Sequence, residues 1–160
     1  MRIAVVSDTH GNNKDIIEKL SEIERPDILI HLGDYVADGV TISKAFGLKS
    51  IIVKGNGDYL CTEYKEDEFI ELKGKKFFLT HGHKYNVQGG LTNLYYKGLE
   101  LGADIVLFGH IHVPIIEKVG DMIIMNPGSP SLPRNADRIK TFGIIEIGDT
   151  IETKIIKIKL

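Results

Sequence analysis

Short apolar runs, each stopped by a polar segment containing glycine, set the pattern of this chain. Residues 3–6 (Ile-Ala-Val-Val) form such a run, as expected of a strand buried on both faces. Ile16, Ile17, Leu20 and Ile23 then share one helical face. Asn12 or Asn13 is placed to cap that helix, and Pro26 marks its end. Further strands are predicted near 28–32 and 51–53, with a weaker helix over 39–46 closed by Gly47. This βαβαβ rhythm implies parallel strands with right-handed crossovers.

The second part of the chain changes character. Segments 67–72 and 75–80 flank Lys73-Gly74 and predict a hairpin. A longer helix is expected over 88–101, with Leu91, Leu94, Tyr95 and Leu101 on one face and Gly102 at its end. Tyr95 and Tyr96 are both expected to pack that helix against a sheet. Residues 105–108 read as another buried strand. Gly120-Asp121 and Gly148-Asp149 suit tight hairpin turns. The tail, 154–160, reads as a strand with an outer face of lysines. Two mixed sheets packed face to face, with helices outside, fit this order, in one domain spanning 1–160.

Composition narrows the function. Formal net charge is −2, which argues against electrostatic binding to nucleic acid or an anionic membrane. No apolar run approaches the roughly 20 residues of a membrane span. The amino-terminal segment reads as a strand and meets polar residues too early for a secretory signal. Cys61 is the single cysteine; it reads as a structural thiol, and its isolation fits a cytoplasmic location.

The polar segments that stop the strands carry the chemistry. They are Ser7-Asp8-Thr9-His10-Gly11-Asn12, Gly33-Asp34, Gly55-Asn56, His81-Gly82-His83 and Gly109-His110-Ile111-His112. Functional groups gather beyond the carboxyl ends of strands in open α/β sheets, so one edge can collect all of them. The donors are carboxylate, carboxamide and imidazole, with no thiolate. Mn²⁺, Ni²⁺, Fe, Co²⁺ or Zn²⁺ suit such a set, and paired ions can act together on a phosphate ester. Asp8, His10, Asp34, Asn56, His81, His110 and His112 are therefore the candidate ligands. His83 is either a phosphate contact, a proton donor or a structural residue. His31, inside a strand, reads as a packed group behind the site. Asn12 and Arg134 are candidates for contact with substrate phosphate.

These segments, in this order, resemble the calcineurin-like metallophosphoesterase superfamily. Ser7–Asn12 together with Asn126-Pro127-Gly128-Ser129-Pro130-Ser131-Leu132-Pro133-Arg134 resembles its small YfcE-like phosphodiesterase branch in bacteria and archaea. The resemblance implies a four-layer α/β/β/α sandwich. It implies one divalent metal ion, Mn²⁺ or Ni²⁺ foremost, on Asp8, His10, Asp34 and His112. A second ion is implied on Asp34, Asn56, His81 and His110, with Asp34 bridging. It further implies a hydroxide held between the metals that attacks phosphorus in line, with Asn56, His81 and His83 as catalytic residues. The expected partner is a small phosphodiester; a phosphomonoester or nucleotide is the alternative, and a homo-oligomer is a further expectation. A non-catalytic scaffold, like the retromer subunit of this fold, is the reading from another class. One position departs from the pattern. Relatives place His or Cys after Gly-Asn, and this chain has Gly57, which cannot protonate a leaving group.

Overall fold

The computed structural model describes residues 1–158. Strands β1 (Arg2–Val6), β2 (Ile28–His31) and β3 (Lys49–Ile52) are separated by helices α1 (Lys14–Ser21) and α2 (Val36–Phe46). The hairpin β4 (Asp67–Leu72) and β5 (Lys75–Thr80) comes next, then α3 (Thr92–Leu101) and β6 (Ile105–Leu107). Two further hairpins follow: β7 (Pro114–Val119) with β8 (Met122–Pro127), and β9 (Lys140–Ile147) with β10 (Ile151–Ile158).

Two five-stranded sheets result, ordered β10-β9-β1-β2-β3 and β4-β5-β6-β8-β7. Strands β1, β2 and β3 are parallel, as are β5, β6 and β8, while β10, β9, β4 and β7 add antiparallel partners. Alternate side chains of each sheet then build separate cores. Ile3, Val5, Ile30 and Leu32 meet Phe77, Leu79, Ile105 and Leu107 between the sheets. Ala4, Val6 and Leu29 face Ile16 and Leu20 of α1 and Ile42 of α2. Phe78, Val106 and Ile124 face Leu94 of α3. Helices outside two stacked mixed sheets make the expected α/β/β/α sandwich. Among the described residues, no helix is long and apolar enough to cross a membrane.

Several boundaries differ from expectation, each for a physical reason. Helix α2 begins at Val36, three residues before the predicted start, because Asp58 accepts the N–H groups of Tyr35 and Val36 from outside the helix. Helix α3 begins only at Thr92; before it lie a short 3₁₀ turn (His83–Tyr85) and left-handed backbone at Asn86 and Gly90. β3 runs over Lys49–Ile52, displaced from 51–53 by pairing with β2. Tyr96 is 63% exposed and does not pack α3 on the sheet; Leu94 and Gly98, four apart, do. Asn13 occupies the N-cap of α1, but its amide reaches Asp38 at 3.3 Å and does not cap the helix. Of the predicted tail strand 154–160, residues 159 and 160 lie outside the described residues.

Candidate metal centre

The loops that follow β1, β2, β3, β5 and β6 meet at one edge between the sheets. Backbone bonds fix the meeting: Asp8 donates to the Gly33 carbonyl at 3.0 Å, Val53 to His31 at 3.0 Å, and Gly109 to His81 at 3.0 Å. Asp8, His10, Asp34, His110 and His112 all have positive φ, between 49° and 69°. Such backbone costs on the order of 1 kcal/mol or more per residue outside glycine, and it persists where surrounding structure enforces it. It recurs here at five candidate ligands on one edge.

Each side chain is then oriented by a second group. Asp8 is fully buried. Its Oδ2 accepts from Ser7 Oγ at 2.6 Å and from the His110 N–H at 3.0 Å. Its Oδ1 has no hydrogen-bond partner and faces inward, 3.2 Å from His112 Nε2 and 3.8 Å from His81 Nε2. His81 Nδ1 contacts the Leu32 carbonyl at 2.7 Å, and His112 Nδ1 contacts that of Leu132 at 2.7 Å. A carbonyl can only accept, so both rings carry their proton on Nδ1 when neutral. Nε2 is left as a lone pair aimed into the site, the usual preparation of a metal-ligating histidine. His81 Nε2 is buried without a partner.

Asp34 joins two sides of the cluster. Its Oδ2 lies 3.6 Å from His10 Nε2, while its Oδ1 lies 3.4 Å from His81 Nε2 and accepts the Gly57 N–H at 2.8 Å. A Cβ at Gly55 would collide with that same Oδ1, so only glycine lets the β3 loop approach so closely.

The donor atoms of Asp8, His10, Asp34 and His112 all lie within 4.8 Å of one another, and the Nε2 atoms of His10 and His112 are 3.2 Å apart. Donors about 2.1 Å from one four-coordinate ion are separated by roughly 3.4 Å, so this set fits a divalent cation. The orphaned inward atoms Asp8 Oδ1 and His81 Nε2 fit the same reading, since buried polar atoms otherwise find partners. The His81 ring, on the Asp34 Oδ1 side, meets the His110 ring edge to face at 5.1 Å. Asn56 opens the 3₁₀ turn beside them (Asn56–Asp58), is exposed, and makes no side-chain hydrogen bond among the described residues.

Electrostatics sharpen the picture. Burial would push the Asp8 carboxyl up, but the His112 ring 3.2 Å away and the nearby His81 outweigh it and hold it below the usual range. Burial lowers His10 against the opposing pull of Asp34 and Asp8, and burial with neighbouring His81 lowers both His83 and His110. Burial works against the charged form of His112, but the Asp8 carboxylate 3.2 Å away favours it, and the group ends raised. Burial sends His31 down to about 4. Its Nδ1 accepts from Gly33 N–H at 3.3 Å and its Nε2 meets Thr9 Oγ1 at 3.2 Å, placing it as a packed group behind the candidate ligands.

The substrate candidates lie at the rim. Arg134 is exposed, and its charge lowers both His10 and His112. Asn12 is exposed on the turn closed by its own N–H to Thr9 O at 3.0 Å. His83 sits with its ring 5.5 Å from His81 and its Nε2 3.9 Å from Glu66.

Several supporting residues escape a reading of sequence alone. Asp58 accepts from Tyr35 N–H at 2.8 Å, Val36 N–H at 3.0 Å and Gly55 N–H at 2.9 Å, tying the Asp34 loop to the Asn56 turn. Its spacing of three from Gly55 is the local signal of a capping box. Ser129 and Ser131 donate to the Asp8 carbonyl at 2.8 and 3.2 Å, and Asn126 Nδ2 donates to Gly109 at 2.7 Å, which explains the Asn-Pro-Gly-Ser segment. Gln88 meets His110 Nε2 at 3.0 Å with no sequence signal.

Relatives share this architecture. The calcineurin-like phosphoesterase superfamily domain matches residues 1–150. The chain is 33% identical over 155 residues to the probable metallophosphoesterase YsnB of Bacillus subtilis, covering 96% of this chain and 88% of that protein. It is 34% identical over 147 residues to a phosphodiesterase of Methanocaldococcus jannaschii, covering 80% and 83%. A Streptococcus pneumoniae protein described as a predicted phosphoesterase superposes with a TM-score of 0.82 at 30% identity, covering 98% of this chain and 88% of that one. Zn²⁺-complexed Vps29 of Entamoeba histolytica, with a TM-score of 0.80 at 21% identity over 99% and 100%, shares the fold. With the superfamily domain matched over almost its whole length, this chain belongs to the calcineurin-like phosphoesterase superfamily.

Proposed function

We propose that this chain hydrolyses small phosphodiesters at a paired divalent-metal centre. Asp8, His10, Asp34 and His112 would hold one ion, and Asp34, Asn56, His81 and His110 the other. The observation that carries this reading is the pair of orphaned inward atoms, Asp8 Oδ1 and His81 Nε2, flanking the two-sided carboxylate of Asp34. The Asp8 and Asp34 carboxylates put negative charge in the pocket, which by itself repels a phosphodiester anion. Divalent cations reverse that sign; when bound they neutralise phosphate oxygens and lower the pKa of a water. Oxygen and imidazole donors suit Mn²⁺ or Ni²⁺.

The chain's own residues supply orientation. Leu32 and Leu132 carbonyls fix the His81 and His112 tautomers, and Ser7 with the His110 N–H fixes the Asp8 carboxylate. Arg134 and Asn12 at the rim would meet the non-reacting phosphate oxygens. In hydrolysis a water oxygen bonds to phosphorus, one ester P–O bond breaks, and the departing oxygen takes a proton. Gly57 cannot give that proton. His83 stands near His81 but is kept neutral by burial, so we assign it to holding phosphate and leave the proton to solvent.

The test is hydrolysis of bis(4-nitrophenyl) phosphate and 4-nitrophenyl phosphate by metal-stripped protein, with and without added Mn²⁺ or Ni²⁺. Metal-dependent turnover favouring the diester supports the reading. Turnover of the monoester alone would assign a phosphomonoesterase, and tight Mn²⁺ binding without turnover of either ester would favour a scaffold.

A further inference from the structure

Beside the ligand cluster lies a second depression of about 440 Å³, within the roughly 300–1,000 Å³ of small-ligand sites. Its wall is mainly apolar: Tyr35, Val36, Tyr59, Leu60 and Cys61, with Gly57 at the inner end. Three large apolar side chains on this wall remain open to water, Tyr35 at 47%, Tyr59 at 78% and Leu60 at 82%. Neighbouring exposed apolar groups of this kind mark contact surfaces.

The depression is joined to the metal centre. The Tyr35 ring packs 5.5 Å from the His10 ring, and the Gly57 N–H bonds Asp34 Oδ1 at 2.8 Å. Gly57 lies against that carboxylate, since a Cβ there would stand 2.9 Å from Asp34 Oδ1. The one carboxylate in the wall, Asp58, is occupied by the N–H groups of Tyr35, Val36 and Gly55, which mutes its repulsion of an apolar guest. The wall is held in place: Cys61 N–H donates to the Asp58 carbonyl at 2.8 Å, and Lys54 Nζ donates to the Cys61 carbonyl at 2.8 Å.

We infer that this depression is the subsite for one ester arm of the substrate, and that it selects a flat apolar arm such as an aryl group or a nucleobase. The inference rests on the phosphodiesterase reading, and it gives that site a substrate class. Tyr35, Tyr59 and Leu60 supply faces on which a ring stacks, next to the position where the phosphate sits. A methyl or short polar arm leaves those faces wet and gains nothing from them.

Two ligands that carry one arm and are not hydrolysed test it: phenylphosphonate and methylphosphonate, titrated calorimetrically into Mn²⁺-loaded protein. Wild type is expected to bind phenylphosphonate roughly tenfold more tightly. In Tyr59→Ala/Leu60→Ala, whose changed side chains are exposed and carry little of the fold, the preference should fall to about twofold, with methylphosphonate affinity retained. Equal affinity of wild type for the two ligands, or a preference the double variant keeps, overturns the subsite. So does self-association of wild type that the double variant abolishes, since a second copy would then be the occupant. Hydrolysis of bis(4-nitrophenyl) phosphate, measured on the same protein, reports separately on the phosphodiesterase reading.

Discussion

Asp58 Oδ1 accepts the backbone N–H of Tyr35 at 2.8 Å, and Tyr35 directly follows the two-sided carboxylate of Asp34. The contact spans 23 residues and crosses from the β3 loop to the start of α2. Asp34 and Tyr35 are consecutive left-handed residues, a conformation that needs outside support. Removing the Asp58 carboxylate leaves three N–H groups to find water. We expect Asp58→Ala to lose roughly 2 kcal/mol of stability in urea denaturation. Mn²⁺ affinity should fall by about 10–100-fold, the usual effect of losing a group that orients ligands. Asp58→Asn, which keeps an acceptor oxygen, should lose less of both. Unchanged Mn²⁺ affinity in both variants would reduce Asp58 to a loop anchor.

Asp34→Asn separates metal binding from folding. The apo site holds two carboxylates close together, with Asp8 Oδ1 and Asp34 Oδ1 both near His81 Nε2. Neutralising one relieves repulsion, so apo Asp34→Asn should melt no lower than apo wild type. Wild type should gain about 2.7 kcal/mol when Mn²⁺ is present at 100 times its Kd. The variant should gain almost nothing at that concentration. Thermal scans with Mn²⁺ and with chelator read both quantities. An equal metal-induced shift in the two proteins would remove Asp34 from the ligand set.

The parts of this fold legible in sequence are those decided locally. The run over 3–6 reads as a strand buried on both faces, and Lys73-Gly74 as a tight turn, whose two residues show positive φ. The candidate ligand positions stand out in the sequence because each follows an apolar run. The start of α2 was not, because the residue that satisfies its first N–H groups lies beyond β3. Ser129 and Ser131 were equally opaque, since the Asp8 carbonyl they hold is more than 120 residues away. Tyr96 stands off the sheet because the packed face of α3 runs through Leu94, Tyr95, Gly98 and Leu101.

His31 links stability to pH. Its pKa falls from 6.5 to about 4 in the folded chain because burial disfavours the charged ring. A folded value below the unfolded one means stability is full above about pH 6.5 and is lost as pH drops toward 4. The loss attributable to this ring is roughly 3 kcal/mol across that window. Apo wild type and His31→Asn should therefore converge in stability on acidification from pH 7 to 4, with the wild-type curve the steeper. Parallel curves would show that His31 takes up its proton as readily when folded.

Gly57 predicts which esters turn over. A positioned general acid contributes about 10²–10⁴-fold, chiefly when the departing oxygen is basic. Here the position after Asn56 offers only a backbone N–H, and that N–H is already given to Asp34 Oδ1 at 2.8 Å. The departing oxygen must leave largely unprotonated, so the rate should follow its own basicity. Among methyl aryl phosphodiesters, kcat should fall steeply from 4-nitrophenyl to unsubstituted phenyl, and diesters with two alkyl arms should turn over slowest. Gly57→His should not simply restore an acid, since its Cβ would stand 2.9 Å from Asp34 Oδ1 and press on a ligand. We expect that variant to bind Mn²⁺ more weakly even where it flattens the leaving-group dependence. Similar kcat for nitrophenyl and alkyl leaving groups in wild type would mean that another group, with His83 the nearest candidate, delivers the proton after all.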